Sequence, residues 1–342
     1  MKQRSGVAGG AQGAWAARLV RELAAEGMLG DPAWRRAFEE VPRRLFVPLR
    51  HGALPVVART LDELLVGGGH RVLEIGTGSG YSAALLAHRV GAERVVTVEA
   101  EAGRAAEAER RLAAAGYGGV AVVVGDGAQG WAAGAPYDRV VARCGVGTVA
   151  ALPGEWVAQC RPGAVILAPV GGGLVRLRVA ADGTAAGRFL AGRVRVGGGG
   201  AAGGAVGGGA VGGGGGGGGG GVVVGRRGGW GRARRSRTAV RPAGDGFLFA
   251  LGLALPELEV RAVYDRGRRS TWLTVSAADG STARAAPDGA VSRTGPREIW
   301  PGVEAVYDRW MEAGRPGRER YGLTVAAGRR WVWLDQADRE WG

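Results

Sequence analysis

Between residues 14 and 30, apolar and charged positions recur at helical spacing. Trp15, Leu19 and Leu23 fall on one face, and Arg18, Arg21 and Glu22 fall elsewhere. Gly27 and Gly30 end this helix. Asp31-Pro32 then reads as an N-cap and a first helical residue. The helix it opens carries Trp34, Phe38 and Val41 before Pro42. The stretch from Val41 to Pro48 reads as extended between its prolines. These elements predict a helical cap packed on a sheet domain.

The pattern then changes. A helical run from about 56 to 66, VVARTLDELLV, leads to a short apolar run, Val72 to Ile75. Similar runs follow at Arg94 to Glu99, Val120 to Val124, Asp138 to Ala142, Ala164 to Val170 and Leu174 to Ala180. Helical runs separate the earlier ones: Tyr81 to Val90, residues 100 to 116 with Gly116 as C-cap, and residues 150 to 160. Arg161-Pro162-Gly163 reads as a turn. Strands alternating with helices predict a doubly wound α/β domain with a parallel sheet and right-handed crossovers.

Gly197 to Gly221 is low complexity, broken only by Ala and Val. It cannot bury enough surface to offset chain entropy and is expected to be disordered. Arg226, Arg227, Arg232, Arg234, Arg235, Arg237 and Arg241 cluster behind it, with Trp230 among them. An anion-binding arm and a solvated linker of biased composition both fit, and the linker is the favoured reading. The tract interrupts what should be the end of the sheet, as an insertion would. A globular pattern returns at Pro242. Leu258 to Tyr264 and Thr271 to Val275 read as strands, and Pro301 to Met311 as a helix burying Val303, Val306 and Trp310. Tyr321 to Val325 and Trp331 to Leu334 read as a hairpin around Ala327-Gly328. The expected organisation is a sheet domain over 1–190, a Gly/Arg-rich linker or insertion over 191–241, and a small α+β domain over 242–342. Trp272, Trp300, Trp310, Trp331 and Trp333 are expected in its core.

Composition narrows this picture in a few ways. The 342 residues suffice for about two domains, and 46% are hydrophobic, enough for a sizeable core. The formal net charge is +14, with Lys2 the only lysine. A drift toward Arg, Ala and Gly explains that charge better than an anionic partner, so nucleic acid is not expected. Cys144 and Cys160 make no metal-ligand spacing, and a reduced, cytoplasmic protein fits best. The N-terminal residues contain no apolar h-region, so no signal peptide is expected. No run of about 18 apolar residues suggests a membrane span.

The chemistry concentrates in RVLEIGTGSGY, Arg71 to Tyr81. Strand, glycine turn and helix together build a nucleotide site at the carboxyl end of a first strand. Three acids follow three successive strands: Glu74 inside the first, Glu99 ending the second, Asp126 ending the third between two glycines. Glu99 lies 99 − 76 = 23 residues after Gly76, near the spacing of about 20 at which an acid accepts from ribose hydroxyls. The glycine spacing, Gly76-x-Gly78-x-Gly80, is not that of dinucleotide binders, and no lysine serves a phosphate loop. Acids without a cation suit a ligand with a ribose and a neutral or positive body. That favours S-adenosyl-L-methionine over NAD or ATP. Ordinary helix capping by Glu99 and Asp126 is the competing reading.

VLEIGTGSGY, VVTVE, AGY followed by VVVGDGAQGW, and APYDRVV resemble the ordered motifs of the protein-L-isoaspartate O-methyltransferase family. VPRRLFVP resembles its N-terminal signature. The resemblance covers about residues 15 to 180. It implies a Rossmann-like class I methyltransferase sheet and methyl esterification of an Asp or isoAsp carboxylate in a peptide or protein. It implies that Glu74 and Gly76, Thr77, Gly78 and Gly80 surround the methionine part of S-adenosyl-L-methionine. Glu99 would take the ribose hydroxyls, and Asp126 and Gly127 would border the adenine. The C-terminal region is similar, more distantly, to an extension in a subgroup associated with modified peptides.

One departure bears on the acceptor. The family carries Ser-Gln-Pro before the helix that precedes the glycine strand; here the stretch reads Ala53-Leu54-Pro55, and the connection from Pro48 to Val56 is shorter. The reaction asks little of side chains, because a carboxylate is already ionised and the methyl sulfonium already activated. Alignment and exclusion of water suffice, and no general base is needed. Pro55 and Arg143 are the candidate acceptor-side residues; an arginine pairs well with an anionic group, although a purely structural Arg143 is the commoner case. Cys144 is expected to be a small buried residue. No metal is expected. The alternatives are a methyltransferase for a small molecule or another nucleophile, and a non-catalytic S-adenosyl-L-methionine-binding protein.

Overall fold

The computed structural model describes residues 16–46, 54–192, 234–236, 245–265, 270–286 and 288–341. The chain divides into two units. The first comprises the described residues up to 192 together with 321–340, and the second comprises most of the chain between them.

The first unit begins with helices α1 (residues 16–25) and α2 (Pro32–Glu40). The Asp31 side chain caps α2, accepting from Ala33 N at 2.8 Å, with Pro32 at the first position. Helices α3 (Leu54–Glu63) and α4 (Tyr81–Val90) follow. Tyr81 joins α4 to the cap: its ring meets Phe38 edge-on at 6.2 Å and Phe46 at 5.6 Å. Arg89 on α4 reaches Asp31 at 2.5 Å and lies over Trp34. The expected helical cap is therefore present. Arg43–Leu45 forms a 3-10 turn where an extended stretch was expected. Val47, Pro48 and Ala53 lie outside the described residues.

The strands are β1 (Val72–Ile75), β2 (Val95–Glu99), β3 (Ala121–Val124), β4 (Tyr137–Ala142), β5 (Cys160–Val170), β6 (Gly173–Val179) and β7 (Ala185–Phe189). Helix α5 (Ala102–Ala114) joins β2 to β3, and α6 (Gly154–Ala158) precedes β5. β1 pairs in parallel with β2 and β4, so the strand order reverses at β1. The carboxyl end of such a strand is where open α/β sheets bind ligands. Every residue of β1 and β2 is buried. That explains their near-continuous aliphatic runs, since a parallel strand covered on both faces has no polar side. The predicted turn at Arg161-Pro162-Gly163 is a bulge within β5, where the register with β4 shifts.

Two expectations need correction. The sheet is parallel only from β3 to β5; the pairings of β5 with β6 and β6 with β7 are antiparallel. The hairpin of β13 (Tyr321–Ala326) and β14 (Arg329–Leu334) does not belong to a domain over 242–342. β13 pairs with β7, giving a nine-stranded sheet in the order β14-β13-β7-β6-β5-β4-β1-β2-β3. The hairpin's alternation suits any open antiparallel edge, and β7 offers one. Trp333 secures it. The indole lies over Gly322, donates to Thr324 Oγ1 at 3.0 Å, and carries the Arg188 guanidinium of β7 on its face.

The second unit holds an antiparallel sheet, β8-β12-β11-β10-β9. Its strands are β8 (Arg234–Arg235), β9 (Leu258–Asp265), β10 (Ser270–Ala277), β11 (Thr282–Ala285) and β12 (Ala290–Thr294). Helix α7 (Asp245–Ala254) packs on α8 (Trp300–Glu312), with Phe247 against Tyr307 and Trp310. Val303, Val306 and Trp310 are buried as expected. Trp300 and Trp333 are buried too, whereas Trp272 and Trp331 are only half-buried. The glycine tract, Trp230 and all of the arginine cluster except Arg234 and Arg235 lie outside the described residues. Among the described residues no helix is long and apolar enough to cross a membrane.

Candidate functional site

β1 ends at Ile75, and the chain enters Gly76-Thr77-Gly78-Ser79-Gly80 before α4. Gly76, Gly78 and Gly80 have φ of 93°, 56° and 84°, the left-handed region that only glycine enters without strain. A β-carbon at Gly78 would meet nothing within 4 Å, so the loop presents bare backbone to open space at this residue.

The loop is tied down on both sides. Gly76 N donates to Val98 O at 2.8 Å. Gly78 N donates to Glu99 Oε2 at 3.0 Å, and Glu101 N to Glu99 Oε1 at 3.4 Å. Glu99 is 9% exposed and thus sits at the rim of the core. Two backbone donors leave about half of a carboxylate's acceptor sites free. A cis-diol could use them.

Below the loop lies a buried polar chain. Thr77 Oγ1 and Thr97 Oγ1 are 2.8 Å apart, Thr97 Oγ1 donates to Glu74 Oε2 at 2.9 Å, and Ser82 Oγ donates to Glu74 Oε1. Glu74 is completely buried. Burial raises its pKa above the ordinary carboxylate value; the nearby Arg143 guanidinium and the two hydroxyl donors oppose that rise. Sequence reading placed Glu74 here but missed Ser82 and Thr97. The signal was available: a threonine in the otherwise aliphatic, fully buried VVTVE has to find a hydrogen-bond partner inside.

Asp126 is exposed and accepts from Ala128 N at 2.9 Å, capping the turn Gly127–Gln129. The following loop is pinned from α6 and β4. Trp156 Nε1 donates to Gly127 O, Gln159 Nε2 to Gln129 O, and Tyr137 Oη to Trp131 O at 2.7 Å. Glu99 and Asp126 thus end neighbouring strands β2 and β3, which pair in parallel. Asp126 caps a turn, as the competing reading has it.

Arg143 follows β4 directly, its backbone N donating to Ile75 O at 2.8 Å. Its Cβ would lie 3.5 Å from a β-carbon on Gly76. Burial lowers the pKa of its guanidinium, and Glu74 opposes this. Cys144, expected to be buried, is exposed in the turn beyond β4. Pro55 lies in the first turn of α3 and supplies no polar group; Leu54 beside it is a core residue. Among the described residues no cluster of His, Cys, Asp and Glu could hold a metal ion.

The family model described as protein-L-isoaspartate(D-aspartate) O-methyltransferase matches residues 51–184. The protein-L-isoaspartate O-methyltransferase of Ignicoccus hospitalis is 38% identical over 171 residues, covering 44% of this chain and 80% of the relative. That of Azorhizobium caulinodans is 40% identical over 151 residues, covering 44% of this chain and 67% of the relative. A solved protein-L-isoaspartate O-methyltransferase structure overlays with a TM-score of 0.52 at 19% identity, covering 94% of this chain and all of the other. That overlay supports the fold.

Proposed function

Because the chain belongs to the protein-L-isoaspartate O-methyltransferase family, we propose that it methylates a carboxylate of an Asp or isoAsp residue in a peptide or protein, with S-adenosyl-L-methionine as donor. The observation that carries this reading is the loop at Gly76 to Gly80. At Gly78 side-chain-free backbone opens onto space, and a part-satisfied buried carboxylate, Glu99, accepts from its N–H. The residues fit this donor. Gly76, Thr77, Gly78 and Gly80 would border the methionine part, Glu99 the ribose, and Asp126 with Gly127 the base. No cation lies within the loop to attract a phosphate.

S-adenosyl-L-methionine supplies an electrophilic methyl group on a sulfonium, which leaves as a neutral thioether. The protein's task is alignment. Glu74, Thr97, Thr77 and Ser82 hold the loop from beneath, and Glu99 fixes Gly78 from the side. The acceptor carboxylate is ionised at neutral pH, so no side chain has to remove a proton, and the dry floor formed by β1 and β2 keeps water from competing. Both cysteines are free thiols, which fits a cytoplasmic setting. The net charge reflects arginine-rich composition rather than a nucleic-acid partner.

The test is incubation with methyl-labelled S-adenosyl-L-methionine and an isoaspartyl peptide. Label that is released by mild base identifies the ester. Tight cofactor binding without transfer to any carboxyl peptide would point instead to a binding protein. Absence of S-adenosyl-L-methionine binding would overturn the site itself.

A further inference from the structure

We propose that Arg143 forms a carboxylate-binding site for the acceptor, receiving the free carboxylate of the peptide on its guanidinium; this rests on the methyl-transfer reading above. Arg143 stands at the carboxyl end of β4, against the first glycine of the loop: a β-carbon on Gly76 would be in van der Waals contact with its Cβ. It is half-buried, yet its guanidinium has no hydrogen bond or ion pair among the described residues. Other half-buried arginines of this unit behave differently. Arg89 binds Asp31 and the Val66 carbonyl, Arg139 binds the Leu65 carbonyl, and Arg176 binds Glu63. Five donors partly withdrawn from water without acceptors are costly unless a ligand supplies them.

Glu74 is the neighbouring acid; its two oxygens accept from Ser82 and Thr97, and it makes no hydrogen bond or ion pair with the Arg143 guanidinium. The N–H edges of the guanidinium are therefore left for another carboxylate. A bidentate pair would fix both the position and the plane of the incoming group, which is what in-line transfer requires. Nothing polar comes from Ala53-Leu54-Pro55 to do this instead. Arg143 is a binding and positioning group here; the nucleophile is the acceptor's own oxygen.

The experiment measures binding of a fluorescently labelled isoaspartyl hexapeptide to the full chain saturated with S-adenosylhomocysteine. The control peptide has the isoaspartyl carboxylate replaced by a carboxamide. Arg143→Gln is expected to weaken the carboxylate peptide at least about tenfold and to leave the carboxamide peptide unchanged, as loss of one charge-assisted pair should. Arg143→Lys should restore part of the affinity, and affinity for S-adenosylhomocysteine should stay within about twofold of the parent. Equal loss for both peptides, no loss for either, or a wild type that does not distinguish them would overturn the proposal. So would a loss confined to S-adenosylhomocysteine, which would assign the guanidinium to the methionine carboxylate. Because this complex cannot transfer a methyl group, its outcome is separate from failure of the labelling assay.

Discussion

Gly127 lies directly beneath Ile75: a β-carbon on the glycine would come within 2.6 Å of Ile75 Cγ2. The last residue of β1 and the turn after β3 therefore share one space. Gly127→Ala should destabilise the chain by about 1–3 kcal/mol through overpacking. Ile75→Ala alone should be destabilising, yet combined with Gly127→Ala it should recover part of the loss. A double-mutant cycle by chemical denaturation reads this coupling, and strict additivity would show that the two residues relax independently.

Glu99 is held by Gly78 N and Glu101 N with acceptor sites to spare. Glu99→Gln keeps one acceptor oxygen and removes the charge. Affinity for S-adenosylhomocysteine should fall by about ten- to a hundredfold, measured by calorimetry. An unchanged affinity would remove Glu99 from the cofactor site.

The buried Glu74 carboxyl titrates above its ordinary value because burial disfavours its charged form. A native state that keeps this proton longer than the unfolded chain is favoured at low pH. The stabilisation is complete below the unfolded value and declines as pH rises toward the raised native value. Glu74→Gln cannot titrate there. The stability of wild type relative to this variant should therefore fall as pH increases above about 4.5, with a slope of at most about 1.4 kcal/mol per unit. Arg143 opposes the rise in the Glu74 value, so Arg143→Gln should carry the decline to higher pH. Denaturation midpoints collected from pH 4.5 to 8 make the comparison, and parallel curves would refute it.

Trp333 covers Gly322 and bonds Thr324, so it anchors the β13–β14 hairpin to itself and to Arg188 of β7. Trp333→Ala should cost about 3–5 kcal/mol. The loss should appear as earlier hydrogen exchange in 185–189 as well as in 321–334. Loss of protection confined to the hairpin would mean that β7 does not depend on it.

The elements that build the nucleotide end of the sheet were legible because each carries a local signal. Val72 to Ile75 is continuous and aliphatic, the glycines mark a turn, and Glu99 stands at a strand end at the right distance. The buried support was less legible. Ser82 looks like any helix residue until the side chain at Glu74 is placed across from it. The partner of the C-terminal hairpin was not legible at all. Tyr321 to Leu334 alternates in the same way whether it closes a small domain or borders β7, and the choice depends on a pairing more than 130 residues away along the chain. The aromatic opposite a glycine, Trp333 on Gly322, marks only the pairing within the hairpin.

The pairing of β7 with β13 sets an order on synthesis. A ribosome makes β1 to β7 in one stretch but delivers β13 only after nearly all of the second unit, up to Arg320, has been made. Until then the backbone N–H and C=O groups along the outer side of β7 have no strand beside them. A nascent or truncated chain ending before residue 321 carries that open edge, a template for pairing with other chains. Completion of the methyltransferase sheet is in this way conditional on the chain being read to its last strands.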